Sequence, residues 1–128
     1  MGYITGDYRV LDVRTAAVLT GSYVAGTDIT DGYNYNQLVV EADFTLGSLT
    51  SAEIKVEYSQ DGTNFFQETF SSISGGTDTI TLGIHQMLST GKYIIALPVL
   101  SKIIRISAKG TGTVTGSSLS LRAIVGNS

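Results

Sequence analysis

Residues Gln37–Thr45, QLVVEADFT, put Leu38, Val40, Ala42 and Phe44 on one side and Glu41, Asp43 and Thr45 on the other. A period of two over this length predicts an antiparallel strand with one face in a core and one in water. The pattern returns in EIKVEYS (53–59), where Ile54, Val56 and Tyr58 alternate with Lys55, Glu57 and Ser59. In SKIIRISAKG (101–110), Ile104, Ile106 and Ala108 alternate with Arg105, Ser107 and Lys109. In SSLSLRAIVG (117–126), Leu119, Leu121, Ala123 and Val125 share a face opposite Ser120 and Arg122. Shorter patterns predict strands at 8–20, 64–70, 77–82 and 93–97. Gly75-Gly76, the 110–116 glycine cluster and Leu46-Gly47-Ser48 punctuate them. The expected fold is all-β: a single antiparallel β-sandwich of about eight strands, jelly-roll-like. Only IHQMLST (84–90) predicts a helical turn.

The segment VEYSQDGTNFFQE (56–68) carries the strongest turn signal, Asp61-Gly62, since glycine takes the positive φ of a tight hairpin turn. An even-numbered loop sets Tyr58 opposite Phe65 and Lys55 opposite Glu68, an aromatic pair and an ion pair. A three-residue loop would instead oppose Glu57 to Phe65 and Val56 to Phe66. The first register satisfies more side chains and is the one expected. In either, Phe65 and Phe66 face opposite ways, so at most one enters a core and the other is left for an interface or ligand.

Composition narrows the chemistry. The 128 residues suit one domain, expected over 8–128, with residues 1–7 (MGYITGD) as a possible arm that orders against a partner. There is no cysteine, which excludes disulfides, thiolate metal sites and a cysteine nucleophile. Net charge is −3 with eight Lys plus Arg, too little positive charge for nucleic acid as the main partner. No secretory signal is read in MGYITGDYRVLDVRTAAV. The longest apolar run, 93–100, is broken by Pro98 and falls short of a membrane span.

No candidate chemistry assembles into a catalytic set. DITDGYNYN offers the oxygens of Asp28, Asp31, Asn34 and Asn36, but its spacing does not match a calcium loop. Tyr33 and Tyr35, alternating with the asparagines, suit a sugar ring or a subunit contact. His85 is the sole histidine, so any Ser-His-Asp site would have to use it and a multi-histidine metal centre is excluded. GTGTVTG (110–116) does not place its glycines as a phosphate loop does, and reads as a hairpin between 104–109 and 117–125. The chain is therefore expected not to be an enzyme, with no catalytic residues, metal or cofactor.

EIKVEYSQDGTNFFQE (53–68) and KIIRISAKGTGTVTGSSLSLRAIVG (102–126), preceded by YNYNQLVVEADFTLGSLTS (33–51), resemble small β-sandwich virion proteins of tailed bacteriophages. Such proteins serve as capsid decoration (cement) or other accessory structural components. A partial resemblance to discoidin-like carbohydrate-binding modules covers VEYSQDGTNF and KIIRISAKG, without the tryptophan after the turn or the terminal cysteine pair. The first resemblance implies a decoration protein made in the host cytoplasm and placed on the virion, with the major capsid protein lattice as partner and a homo-oligomer, a trimer by lattice symmetry. Contacts are expected at Tyr3, Ile4, Tyr8, Tyr33, Tyr35, Phe65 and Phe66. The alternative is a glycan-binding or tail- or fibre-associated recognition module.

Overall fold

The computed structural model describes residues 8–128. Among them the strands are β1 (Tyr8–Ala17), β2 (Val24–Ala25), β3 (Gln37–Thr45), β4 (Leu49–Ser59), β5 (Phe66–Gln67), β6 (Thr69–Ser74), β7 (Thr77–Leu82), β8 (His85–Met87), β9 (Gly91–Leu97), β10 (Ile103–Gly112) and β11 (Ser118–Gly126). A single 3₁₀ turn, Gly32–Asn34, interrupts the loop before β3.

The topology is that of one long hairpin wrapped on itself. Pairing runs β1 with β11, β2 with β10, β3 with β9, and β4 with both β5 and β8. Two further ladders, β11 with β3 and β10 with β4, close this double ribbon into two sheets. One sheet has the order β1-β11-β3-β9, and the other β2-β10-β4-β5 with β8 also on β4. From β3 onward the long strands β3, β4, β9, β10 and β11 alternate between the two sheets, the order of a jelly roll, and each contributes its alternate residues to the space between.

That space is filled as the alternation requires. Leu38, Val40, Ala42 and Phe44 of β3 meet Ile54 and Val56 of β4, Ile104, Ile106 and Ala108 of β10, and Leu119, Leu121, Ala123 and Val125 of β11 in one buried cluster. Phe44 and Leu119 face each other across the β3–β11 ladder, and both are fully inaccessible. Two turns close the same end of the sandwich. Gly47 has φ +57, and a Cβ on it would lie 2.4 Å from the Gly116 carbonyl carbon, so turn 46–48 and loop 113–117 can meet only through glycine.

Three expectations are corrected here. GTGTVTG is not a hairpin, because β10 belongs to one sheet and β11 to the other, and the segment carries the chain across the sandwich edge. IHQMLST forms no helical turn; His85–Met87 is strand β8, opposite Ala52–Ile54 of β4. The register of the β4–β5 hairpin is neither of the two considered: Tyr58 lies opposite Phe66 and Glu57 opposite Gln67. The cause is Asp61. Its carboxylate accepts the backbone N–H of Asn64 (2.8 Å) and of Thr63 (2.9 Å), while the Ser59 hydroxyl accepts the N–H of Gly62 (2.9 Å). Those bonds shape a longer Asx-capped loop and draw Phe65 out of the ladder. They also hold the Asp61 carboxyl well below the usual carboxylate range, the Asn64 and Thr63 N–H groups contributing most.

Candidate interaction surface

The described aromatic candidates gather at one end of the sandwich. The Gly32 N–H donates to the Lys102 carbonyl at 2.8 Å, and the Gln60 amide donates to the Leu100 carbonyl at 3.1 Å. These bonds tie loops 26–36, 60–65 and 98–102 together. The start of β1 joins them: Tyr8 pairs with Gly126, whose carbonyl accepts the Asn36 N–H, and Arg9 pairs with Asp31. Tyr8, Tyr33 and Phe66 are exposed there, as is Leu100. Tyr35 instead is half-buried and packs against the core. Phe65 lies 3.9 Å from the Arg105 guanidinium, a cation–π contact on the outer face of the second sheet. Phe66 is thus the phenylalanine left exposed. Tyr3 and Ile4 lie outside the described residues.

Two carboxylates of the oxygen-rich loop are paired with arginines. Asp28 accepts two bonds from Arg105 at 3.1 Å each, and Asp31 accepts one from Arg9. Both guanidinium pKa values are raised, chiefly by these hydrogen bonds. Among the described residues, no three acidic or histidine side chains cluster as metal ligands would, and no helix is long and apolar enough to cross a membrane.

The outer face of the second sheet is covered by its own side chains. Tyr23 lies under Lys55 (4.7 Å) and Lys109 (5.1 Å) and donates to Glu53 at 3.2 Å. Burial first, and the Glu53 charge second, push its hydroxyl up to about 12. A tyrosine whose folded pKa is raised contributes stability that is complete below the unfolded value of about 10 and is lost as pH rises toward the folded value. Urea midpoints should therefore fall between pH 9 and 11.5, and fall less in Tyr23→Phe. An equal fall in both proteins would show that Tyr23 ionises as readily folded as unfolded.

The outer face of the first sheet carries a shallow groove of about 660 Å³ lined by Asp12, Arg14, Glu41, Asp43, Lys92 and Arg122, among others. Its charges are mostly self-paired: Arg122 with Glu41 at 2.6 Å and Lys92 with Asp43 at 2.9 Å. The Arg14 guanidinium donates to the carbonyls of Leu119, Ala17 and Val18.

The feature the sequence did not single out is the β6–β7 hairpin. It is inserted into an edge strand: β5 and β8 continue one another along β4, and the chain leaves between them at Glu68 and returns at Gly83. The Gly83 N–H donates to the Glu68 carbonyl at 2.7 Å, which closes the base. His85 is used here, its Nε2 2.8 Å from Glu68 Oε1 and its ring edge-on to Phe70 at 5.5 Å. Beyond this root all twelve strand residues are exposed, and among the described residues β6 and β7 pair only with each other. Gly75 and Gly76 both take positive φ, as a two-residue hairpin turn requires.

The register gives the hairpin two unlike faces. Ile73, Ile80 and Leu82 share one with Thr69, Ser71 and Asp78; Phe70 shares the other with Ser72, Ser74, Thr77, Thr79 and Thr81. Ile73 is 77% exposed, and Ile80 and Leu82 are 65% exposed. An isolated two-stranded hairpin is marginal in water, and uncovered aliphatic side chains in a row mark a contact surface. Six residues per strand at about 3.3 Å each give the arm a reach of roughly 20 Å.

No family model and no curated protein matches the sequence. Among solved structures, the SPBc2 prophage-derived protein YomS superposes with a TM-score of 0.52 over 98% of this chain and 97% of its own, at 18% identity. The fold is shared with a prophage protein. The likeness extends over the whole sandwich, and at this identity it concerns the fold alone.

Proposed function

We propose that this chain is an accessory structural protein of a bacteriophage virion, a capsid decoration protein that binds the assembled head and acts by mass action rather than chemistry. The observation that carries the reading is the projecting β6–β7 arm with its uncovered face of Ile73, Ile80 and Leu82. An arm of this kind reaches across a neighbouring subunit and gains stability by burying its apolar face there. A ligand that binds only the assembled lattice stabilises it by the free energy of binding. Exposed Tyr8, Tyr33 and Phe66 at the loop end supply a second contact, and two contacts on one chain add avidity. The shared fold with a prophage-derived protein supports the phage setting.

Immunogold labelling of particles of the phage that encodes the chain tests this reading. Gold over the heads is the expected result. Gold confined to tail tips or fibres would replace decoration by host or glycan recognition. Unlabelled particles beside a positive lysate would overturn the virion role.

A further inference from the structure

Among the described residues the two large sheets have four edges, and three of them are blunted. β1 carries two register shifts, between Asp12 and Arg14 and between Arg14 and Ala17. β2 is two residues long, and the opposite edge of its sheet is split into β5 and β8, of two and three residues. Short strands and bulges are two of the ways a sheet edge avoids pairing with another chain. The fourth edge, β9, has neither device. It runs Gly91–Leu97 in unbroken register with β3, and its last five residues, YIIAL, are uncharged and apolar. Ile94, at the middle of the strand, is 71% exposed.

We infer that β9 is a self-association edge, where two copies pair their β9 strands antiparallel about a twofold axis to make one continuous eight-stranded sheet from two four-stranded ones. A second copy fits this edge because pairing about its centre places no like charges opposite one another. Pro98 has no N–H to extend the ladder on one side, and Ser89 and Thr90 turn away on the other, where the Ser89 carbonyl accepts the Tyr93 hydroxyl at 2.6 Å. The pairable stretch is therefore Gly91–Leu97, and its centre is Ile94. Antiparallel pairing about that centre sets Ile94 against its own copy, Tyr93 against Ile95 and Gly91 against Leu97. Lys92 falls opposite Ala96, so the two lysines never face each other. Lys92 keeps its bond to Asp43, since both lie on the outer face. Ile94, on the outer face, gains its own copy as a cross-strand neighbour. A twofold pairing closes at two copies, where the lattice argument led to three. The dimer does not depend on the virion reading, and its test uses the free protein.

Sedimentation equilibrium at tens of micromolar should give twice the 13.5 kDa chain mass for the native sequence and the monomer mass for Ile94→Lys, with the far-UV spectrum unchanged. Facing residues of an antiparallel pair lie about 4.5–5.5 Å apart, within disulfide reach. Because the chain has no cysteine, Ile94→Cys should oxidise to a covalent dimer, and Ile80→Cys on the arm should not. A monomeric or trimeric native protein, or a dimer that survives Ile94→Lys without an Ile94→Cys cross-link, would overturn the inference.

Discussion

Phe44→Ala is expected to lower the unfolding free energy by about 3–5 kcal/mol, a large part of the ~5–15 kcal/mol that holds a domain of this kind. Phe44 is wholly buried at the end of β3, opposite Leu119 on β11 and Gly91 on β9. Removing the ring loses its burial and leaves a void that the flanking strands cannot close. Both neighbours are held in continuous ladders, and turn 46–48 just beyond is locked against Gly116. Urea denaturation with an unchanged slope and a much lower midpoint is the signature. A loss below about 1 kcal/mol would mean that the layers are not packed together at this end.

The second large effect concerns binding rather than folding. Ile73→Ser, Ile80→Ser and Leu82→Ser combined should leave the sandwich standing, because each side chain is mostly in water already. Exposed substitutions of this kind usually change stability by no more than about 0.5 kcal/mol each. Affinity for the capsid lattice should nevertheless fall by at least about 100-fold. Burying an isoleucine or leucine is worth about 1.5–3 kcal/mol, so forfeiting even a fraction over three of them passes the ~2.7 kcal/mol that 100-fold requires. Competition of the variant against labelled native protein for heads measures this. Equal competition would remove the arm from the interface.

The sandwich was legible because its buried strands contrast sharply with their wet faces. Leu38 to Phe44, Ile54 to Tyr58 and Leu119 to Val125 alternate without a break, and all enter the core. The arm was faint for the opposite reason. Neither face of TFSSIS or TDTITL is buried, so Ile73, Ile80 and Leu82 stand among hydroxyl residues without a periodic core to mark them. Gly75-Gly76 announced its turn and TDTITL its second strand, but neither marked the pair as an exposed arm. His85–Met87 is too short for its period to be distinguished from a helical turn. GTGTVTG misled because strands adjacent in sequence usually pair, whereas a jelly roll sends them to opposite sheets. The Phe65 register depended on Asp61 capping its own loop, a local bond that competes with the tight turn Asp-Gly otherwise suggests.

The site residues divide along the same line. Tyr8, Tyr33 and Phe66 are exposed at the loop end, where folding brings distant loops together. Tyr35 and Phe65 acquire structural partners that no local pattern predicts: the core for Tyr35, and Arg105, itself held by Asp28, for Phe65.

Co-sedimentation with heads that lack this protein, run beside the same capsid subunits in dissociated form, tests the central claim most directly. Saturable pelleting with the assembled heads and no binding to the dissociated subunits is the expected result. Equal binding to both forms, or none to the heads, would contradict it.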